Sequence, residues 1–318
     1  MPDGVVSCYK DSITAVEQAL ALHKSIRTCA LVGQFQDPRV GECAQALIPV
    51  LLARQLTVLT PETGPDGMAP PGALSVALPE LLARAQLVIA IGGDGTLLHA
   101  AGLVGDSGIP LLGINRGRLG FLTDVLPQDM VTCVDAVLAG ECTDERRRLL
   151  HARLTAPGGG VADCFALNDV VFNRLETGRM LDFETHVDGR YVNSHGADGL
   201  VVATATGSTA YALSCGGPIV DPRLNVLVLA PISPHTLSDR PILVPGDSKI
   251  AIRLTGSSDV SAQVTCDARL LGELRPGGLL EIQPSERAIT LLHPPGYDYF
   301  RLLRSKLHWG RGGLEHER

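Results

Sequence analysis

The chain contains nothing near the ~20 consecutive apolar residues that a membrane-spanning helix needs. Its longest apolar runs, such as Leu87–Ile91 and 226–230, are far shorter, so no membrane partner is expected. The opening Met1-Pro2-Asp3-Gly4 lacks a basic start and an apolar core, so no signal peptide is expected and the cytoplasm is the default location. The eight cysteines (8, 29, 43, 133, 142, 164, 215, 266) form no Cys-x-x-Cys pair and no Cys/His cluster. A disulfide framework and a zinc site therefore have no support. Basic residues are also short: 27 Lys and Arg face 34 Asp and Glu, a formal net charge of −7. That balance argues against a general nucleic-acid binder, which lives on phosphate contacts. It leaves anionic ligands open, because backbone N–H groups and a few arginines can hold phosphate inside an acidic protein. Neither a Walker Gly-Lys-Ser/Thr loop nor the dinucleotide G-x-G-x-x-G is present, which disfavours a Rossmann-type hydride-transfer enzyme.

What is present divides into two textures. Up to about residue 145, short β-rich runs alternate with helical patterns: strands over 26–33, 56–60, 86–91 and 109–114, helices over 39–54, 96–103 and 128–139. The alternation predicts an α/β domain around a parallel sheet, Rossmann-like in class. From about 146, candidate strands follow at short intervals between turn signals such as 156–160, Asp188-Gly189, 245–247 and 275–278. This reads as a mostly antiparallel β domain, with 149–155 and 163–171 forming a hairpin across the first turn. The tail from 297 returns to a basic, helix-like pattern, and Arg146-Arg147-Arg148 reads as a solvated helix end or linker. The expected division is thus an extension over 1–25, the α/β domain over 26–145, the β-rich domain over 146–296, and a tail over 297–318.

Four segments carry polar chemistry where strands end. Gly92-Gly93-Asp94-Gly95-Thr96 follows the best strand and opens a helix, so the glycines leave room for a ligand at backbone N–H groups. Asp94 also reads as a plain helix N-cap. Asn115 to Asp124 (Asn-Arg-Gly-Arg-Leu-Gly-Phe-Leu-Thr-Asp) sets two arginines among glycines after another strand. Asn168 and Asp169 interrupt an otherwise apolar strand, and buried polar groups need partners. Asp198-Gly-Leu leads into Thr206-Gly-Ser-Thr-Ala-Tyr211, a hydroxyl-rich turn suited to reading sugar hydroxyls or to capping a helix, with Gly216-Gly217-Pro218 as the stop.

Together with Pro231-Ile-Ser-Pro-His-Thr-Leu-Ser-Asp-Arg-Pro241, and in that order from about residue 26 to 309, these segments resemble the bacterial NAD kinases. Gly-Gly-Asp-Gly alone is shared with lipid and sugar-phosphate kinases; Thr-Gly-Ser-Thr-Ala-Tyr is the more diagnostic run. The resemblance implies a two-domain kinase whose tail packs back on the α/β domain, with NAD in the crevice between domains. Asp94 is implied as the general base that takes the proton from the adenosine 2′-hydroxyl as it attacks the γ-phosphate of ATP. Magnesium, or another divalent cation, is implied on the ATP phosphates; the sequence names no protein ligand for it.

Gly92, Gly93, Gly95 and Thr96 are implied as the phosphate loop, with Arg116 and His235 as further candidates. Asn168 and Asp169 would hold the adenosine of NAD, while Asp198, Thr209, Ala210, Tyr211, Ala212, Leu213 and Ser214 would bind the other end and the ribose hydroxyls. Gly95, His99, Arg179 and Gly196 complete the expected NAD contacts, His99 reading equally as a surface residue. A homodimer or homotetramer is the family expectation. Three departures stand out: Ala205 replaces a common proline, Arg269 a common glutamine, and Gly196 an arginine carried by some relatives selective for NAD. The last implies that NADH is also accepted. Residues 1–25 fall outside the resemblance. Two rival readings are a lipid kinase of the diacylglycerol type and a catalytically silent NAD(P)-binding sensor.

Overall fold

The computed structural model describes residues 26–62, 69–175, 180–256 and 260–309. They divide into two compact units, one reaching to Arg146 and resuming at Ile289, the other spanning Arg147–Ala288.

In the first unit, β1 (Thr28–Gly33), α1 (Pro38–Ala53), β2 (Thr57–Pro61), β3 (Leu74–Val76), α2 (Leu78–Arg84), β4 (Leu87–Ile91), α3 (Asp94–Val104), β5 (Leu111–Ile114) and α4 (Met130–Ala139) follow one another. Helix α1 starts where Asp37 accepts the Arg39 N–H at 3.0 Å, and Pro38 at its head carries no N–H to satisfy. It buries Val40, Cys43, Ala44, Leu47, Ile48 and Leu51, the stripe that helical periodicity puts on one face. The sheet is parallel, in the order β3-β2-β1-β4-β5. All five residues of β4 are buried, each large one worth roughly 1.5–3 kcal/mol of apolar burial. Strand order reverses between β1 and β4, which makes the carboxyl end of β4 the place where open α/β sheets put ligands. Helix α3 begins at Asp94, two residues before the sequence pattern predicts, and β3 and α2 are elements that the pattern does not reveal.

The second unit contains β6 (Thr143–Thr155, from Arg147 on), β7 (Val161–Ala166), β8 (Asp169–Arg174), β9 (Leu181–Val187), β10 (Arg190–Ala197) and β11 (Gly199–Thr204). A 3-10 turn at Thr206–Thr209 and the single-turn helix α5 (Tyr211–Ser214) precede β12 (Val226–Ile232), β13 (Ile242–Pro245), β14 (Ile250–Leu254), β15 (Ala262–Cys266) and β16 (Arg269–Leu274). One antiparallel sheet runs β13-β12-β11-β8-β15-β16. The long β17 (Leu279–His293) pairs its early residues with β14, and β14 pairs with β9 and β9 with β10, all antiparallel. A core including Phe172 and Phe183, edge to face at 5.0 Å, unites these strands. A smaller cluster of Val171, Val201, Ala203, Ala212, Val220 and Val228 buries the other face of β8, β11 and β12.

Three expectations need correction. The predicted strand 163–171 is two strands: β7 pairs with β6, and β8 joins the other sheet after a break at Leu167 and Asn168. Arg147 is not solvated: it is 4% exposed and donates from Nη1 to Thr206 Oγ1 at 2.9 Å. The last residues of β17 lie alongside β5, Leu291 opposite Leu111, so the chain rejoins the first unit at Ile289, before the expected 297. After β17, Asp298 caps α6 (Tyr299–Leu307) by accepting the Phe300 N–H at 2.8 Å. Among the described residues no helix is long and apolar enough to cross a membrane. All the described cysteines are free thiols; burial pushes Cys29 and Cys133 up to about 12.

Candidate active site

In the first unit the chain leaves β4 through Gly92 and enters α3 at Asp94, with Gly93 as a cap that has no side chain to offer the first-turn N–H groups. A Cβ on Gly92 would lie 2.2 Å from Thr96 Oγ1, so packing alone requires that glycine. Gly93 and Gly95 differ: a Cβ on either would meet nothing within 4 Å. Protein packing leaves open space at both, beside backbone N–H groups at a helix head.

The Asp94 carboxylate is held by the 115–124 loop. Oδ1 accepts from Leu122 N (3.0 Å), Thr123 N (3.1 Å) and Thr123 Oγ1 (3.1 Å), and Oδ2 from Phe121 N (2.8 Å). Asn115 shapes that loop, taking the Gly117 and Arg118 N–H groups on Oδ1 and donating from Nδ2 to Thr123 Oγ1 at 2.9 Å. Gly120 allows the close approach, since a Cβ there would sit 1.9 Å from Asp94 Oδ1. A carboxylate has about four lone-pair positions. Three donors crowd Oδ1, while among the described residues Oδ2 takes one, so Oδ2 keeps a lone pair for a further hydroxyl.

His99 is exposed on α3, and Arg116 donates from Nη1 to Asp37 at 2.6 Å.

In the second unit, the break before β8 is made by Asp267, which the motif reading passed over. Its carboxylate accepts the N–H groups of Leu167 (2.7 Å), Asn168 (2.8 Å) and Asp169 (3.3 Å). Asp267 and Ala268 both adopt left-handed backbone, at φ 46° and 62°, in the turn from β15 to β16. Asn168 is buried, and among the described residues its Oδ1 finds no hydrogen-bond partner. An orphaned buried amide oxygen aimed at no protein group fits a ligand that donates to it. Asp169 is 6% exposed. Burial, then the neighbouring Asp267 charge, raise its pKa to about 7, opposed by a hydrogen bond from the Tyr211 N–H.

That last bond ties Asn168-Asp169 to the Thr206–Tyr211 run. Thr204 Oγ1 donates to Leu167 O at 2.6 Å and accepts from Gly207 N at 3.1 Å, and a Cβ on Gly207 would lie 2.1 Å from Asn168 O. Of the hydroxyls in this turn, Ser208 serves the fold: it is fully buried, donating to Ala205 O at 2.7 Å and accepting from Val220 N at 3.0 Å. Ala212 is likewise core, whereas Tyr211 and Ser214 are exposed and Thr209, Ala210 and Leu213 half-buried. Asp198 pairs with Arg174 at 3.0 Å, and its charge is one cause of the raised Tyr211 pKa, after burial, Cys215 and Asp169. Gly196 lies in β10, where a Cβ would meet Met180 Cε at 3.0 Å, and its carbonyl accepts the His235 N–H at 2.9 Å. Arg269 donates to Phe165 O at 3.0 Å. Arg179 lies outside the described residues.

Comparison with known proteins follows the same two-part division. The ATP-NAD kinase N-terminal domain model matches residues 40–142 and the ATP-NAD kinase C-terminal domain model matches 167–293. An NAD kinase of Methylococcus capsulatus is 44% identical over 283 residues, 89% of this chain and 97% of its own. One of Nitrosococcus oceani is 43% identical over 288 residues, 91% and 98% of the two chains. Among solved structures, the yeast NADH kinase complexed with NADH superposes with a TM-score of 0.81 at 23% identity, over 90% of this chain and 89% of that one. An NAD kinase from Archaeoglobus fulgidus in complex with ATP gives 0.67 at 26%, over 88% and 98%. With both domain models matched in order and relatives aligned along nine-tenths of its length, the chain belongs to the ATP-NAD kinase family.

Proposed function

We propose that the chain transfers the γ-phosphate of ATP to the 2′-hydroxyl of the adenosine ribose of NAD, giving NADP. The observation that carries this reading is the Asp94 carboxylate, fixed by three consecutive loop amides at the head of α3 with one Oδ2 lone pair open. Oδ2 accepts the proton of the attacking hydroxyl. A carboxylate is a weak base for an alcohol, so alignment of the nucleophile supplies most of the acceleration. Gly93 and Gly95 leave the α3 N–H groups accessible to phosphate oxygens.

Asn168 Oδ1 and the Asp169 carboxylate hold the adenosine, and Asp198 with Thr209, Ala210, Tyr211, Leu213 and Ser214 the rest of the dinucleotide, Ala212 packing beneath them in the core. Magnesium enters as the ATP complex. Among the described residues no group of three His, Cys, Asp or Glu side chains could hold a metal ion. Magnesium characteristically binds through substrate phosphates and waters with few protein ligands. A cytoplasmic homodimer or homotetramer belongs to the same reading, with exposed Ile242 and Leu243 on edge strand β13 and Tyr191 on edge strand β10 as available apolar surface. Incubation with magnesium–ATP and NAD, read out by an NADP-specific dehydrogenase, tests the activity; ATP consumption without NADP would refute it.

Two expected outcomes follow from the nucleotide contacts. First, Gly196 presents no cation toward the dinucleotide, so NADH turns over at a rate comparable to NAD. Strict NAD use in parallel assays would contradict this. Second, NAD affinity rises with pH. The folded pKa of Asp169 is raised from 3.8 to about 7, so its neutral form favours folding, a contribution complete below 3.8 and lost as pH rises through 7. Ribose hydroxyls instead donate to the ionised form, so NAD binding expels a proton. For one such group, affinity gains about tenfold between pH 6 and pH 8. Calorimetry at the two pH values checks this, and Asp169→Asn should flatten the difference.

A further inference from the structure

The loop that holds Asp94 is itself held at its far end. Asp124, next after Thr123, has Oδ2 2.8 Å from Nδ1 of His293, and His293 Nε2 lies 2.9 Å from Glu145 Oε2. His293 ends β17, is 2% exposed, and stacks on Tyr297 at 3.8 Å with the rings 12° apart. A neutral imidazole has one N–H and could satisfy only one of the two carboxylates. The protonated ring donates to both, and the Asp124 and Glu145 hydrogen bonds hold its pKa above 6.5 although burial pulls it down. From α6, Lys306 Nζ lies 5.6 Å from the Phe121 ring centroid. The returning C-terminal segment therefore meets the loop at Phe121, the first of the three amides that bind Asp94, and at Asp124, just after the last.

We propose that His293 is a positioning residue for phosphoryl transfer: by binding Asp124 it fixes the 120–124 loop, and through the loop amides it aims Oδ2 of Asp94. This rests on Asp94 being the base, and the tests below separate the two ideas. The effect should be large for so remote a group, because displacing a reacting atom by about 1 Å can cost on the order of a hundredfold in rate. It should also fall on kcat, since NAD and ATP binding draw on other groups.

His293→Gln keeps a donor near Nε2, toward Glu145, and loses the one toward Asp124. His293→Asn keeps a donor near Nδ1, toward Asp124. The expected result is a kcat about ten- to a hundredfold lower in His293→Gln, with KM for both substrates within about threefold, and most of kcat recovered in His293→Asn. Hydrogen exchange followed by mass spectrometry over 115–125 should speed up in the Gln variant and stay slow in the Asn variant. The groups facing the ring are Asp124 from the loop, Glu145 from β6 and Tyr297 from the turn after β17. Asp124 also contributes, after burial, to the raised pKa of Cys133 on α4. Because the folded pKa is raised, the latch is complete below 6.5 and is lost as pH rises through the higher folded value. Wild-type kcat should carry that alkaline limb, and His293→Asn should lack it. Unchanged exchange in His293→Gln would overturn the latch. Faster exchange with unchanged kcat would overturn its positioning role and leave Asp94 as the base, which the Asp94→Asn variant tests separately. Equal losses in both variants, with raised KM and a lowered melting temperature, would reduce His293 to a structural residue and overturn the proposal.

Discussion

Asp94→Asn lowers the rate of NADP formation by about 10²–10⁴-fold, the range that a positioned general base contributes, while NAD still binds. The amide oxygen can take the place of Oδ1 and keep its three donors, but the NH2 then replaces Oδ2 and faces the Phe121 N–H. One loop hydrogen bond becomes a donor–donor contact, costing about 1–3 kcal/mol of local stability. The open lone pair that meets the 2′-hydroxyl disappears with it. Asp94→Ala is the poorer experiment, because it strands all four donors and mixes loop collapse with loss of the base. Initial rates from the dehydrogenase-coupled assay, beside calorimetric NAD binding, separate the two effects. A rate within tenfold of wild type would remove Asp94 from the mechanism.

The largest stability effect is expected at Gly207. An alanine Cβ there would lie 2.1 Å from Asn168 O, 2.5 Å from Asn168 C and 2.8 Å from its Cα. These are backbone atoms held by the Thr204 hydroxyl and the Asp267 carboxylate, so no rotamer change relieves the clash. Gly207→Ala should cost about 3 kcal/mol or more, at the upper end of overpacking in a closed core. That corresponds to a melting temperature roughly 6–12 °C lower for a unit of this size. Since the strain falls on Asn168 itself, NAD binding should be lost together with stability. Thermal melts and calorimetry check both; an unchanged melting temperature would contradict the close approach that brings the two motifs together.

What the sequence made legible was local. Leu87–Ile91 ends at a double glycine, so strand, turn and helix could be read in one pass, and Asp94 stood out at their junction. β3 has three residues and α2 has seven with a proline at its head, too little periodicity to register. Residues 163–171 read as one strand interrupted by Asn168 and Asp169, because apolar residues resume directly after them and no turn signal separates the two halves. The break is imposed by Asp267, 98 to 100 positions downstream, whose carboxylate takes the amides a continuous ladder would have used. Arg147 looked solvated in a run of three arginines, but its guanidinium bonds Thr206, 59 positions away. The grip on Asp94 is hidden for the same reason, its donors lying 27 to 29 positions along the chain. Side chains whose partners are distant in sequence leave no periodic trace, and in this protein those side chains set the aim of the reactive group.

The most direct test of the account follows the transferred phosphate itself. ATP labelled in its γ-phosphate is incubated with NAD and the purified chain, and the dinucleotide is separated and tested with an NADP-specific dehydrogenase. The account predicts label in the dinucleotide, one phosphate for each ADP released, with the product fully active in the dehydrogenase. Label that stays in ATP or leaves as inorganic phosphate, from folded protein that binds NAD, would contradict it.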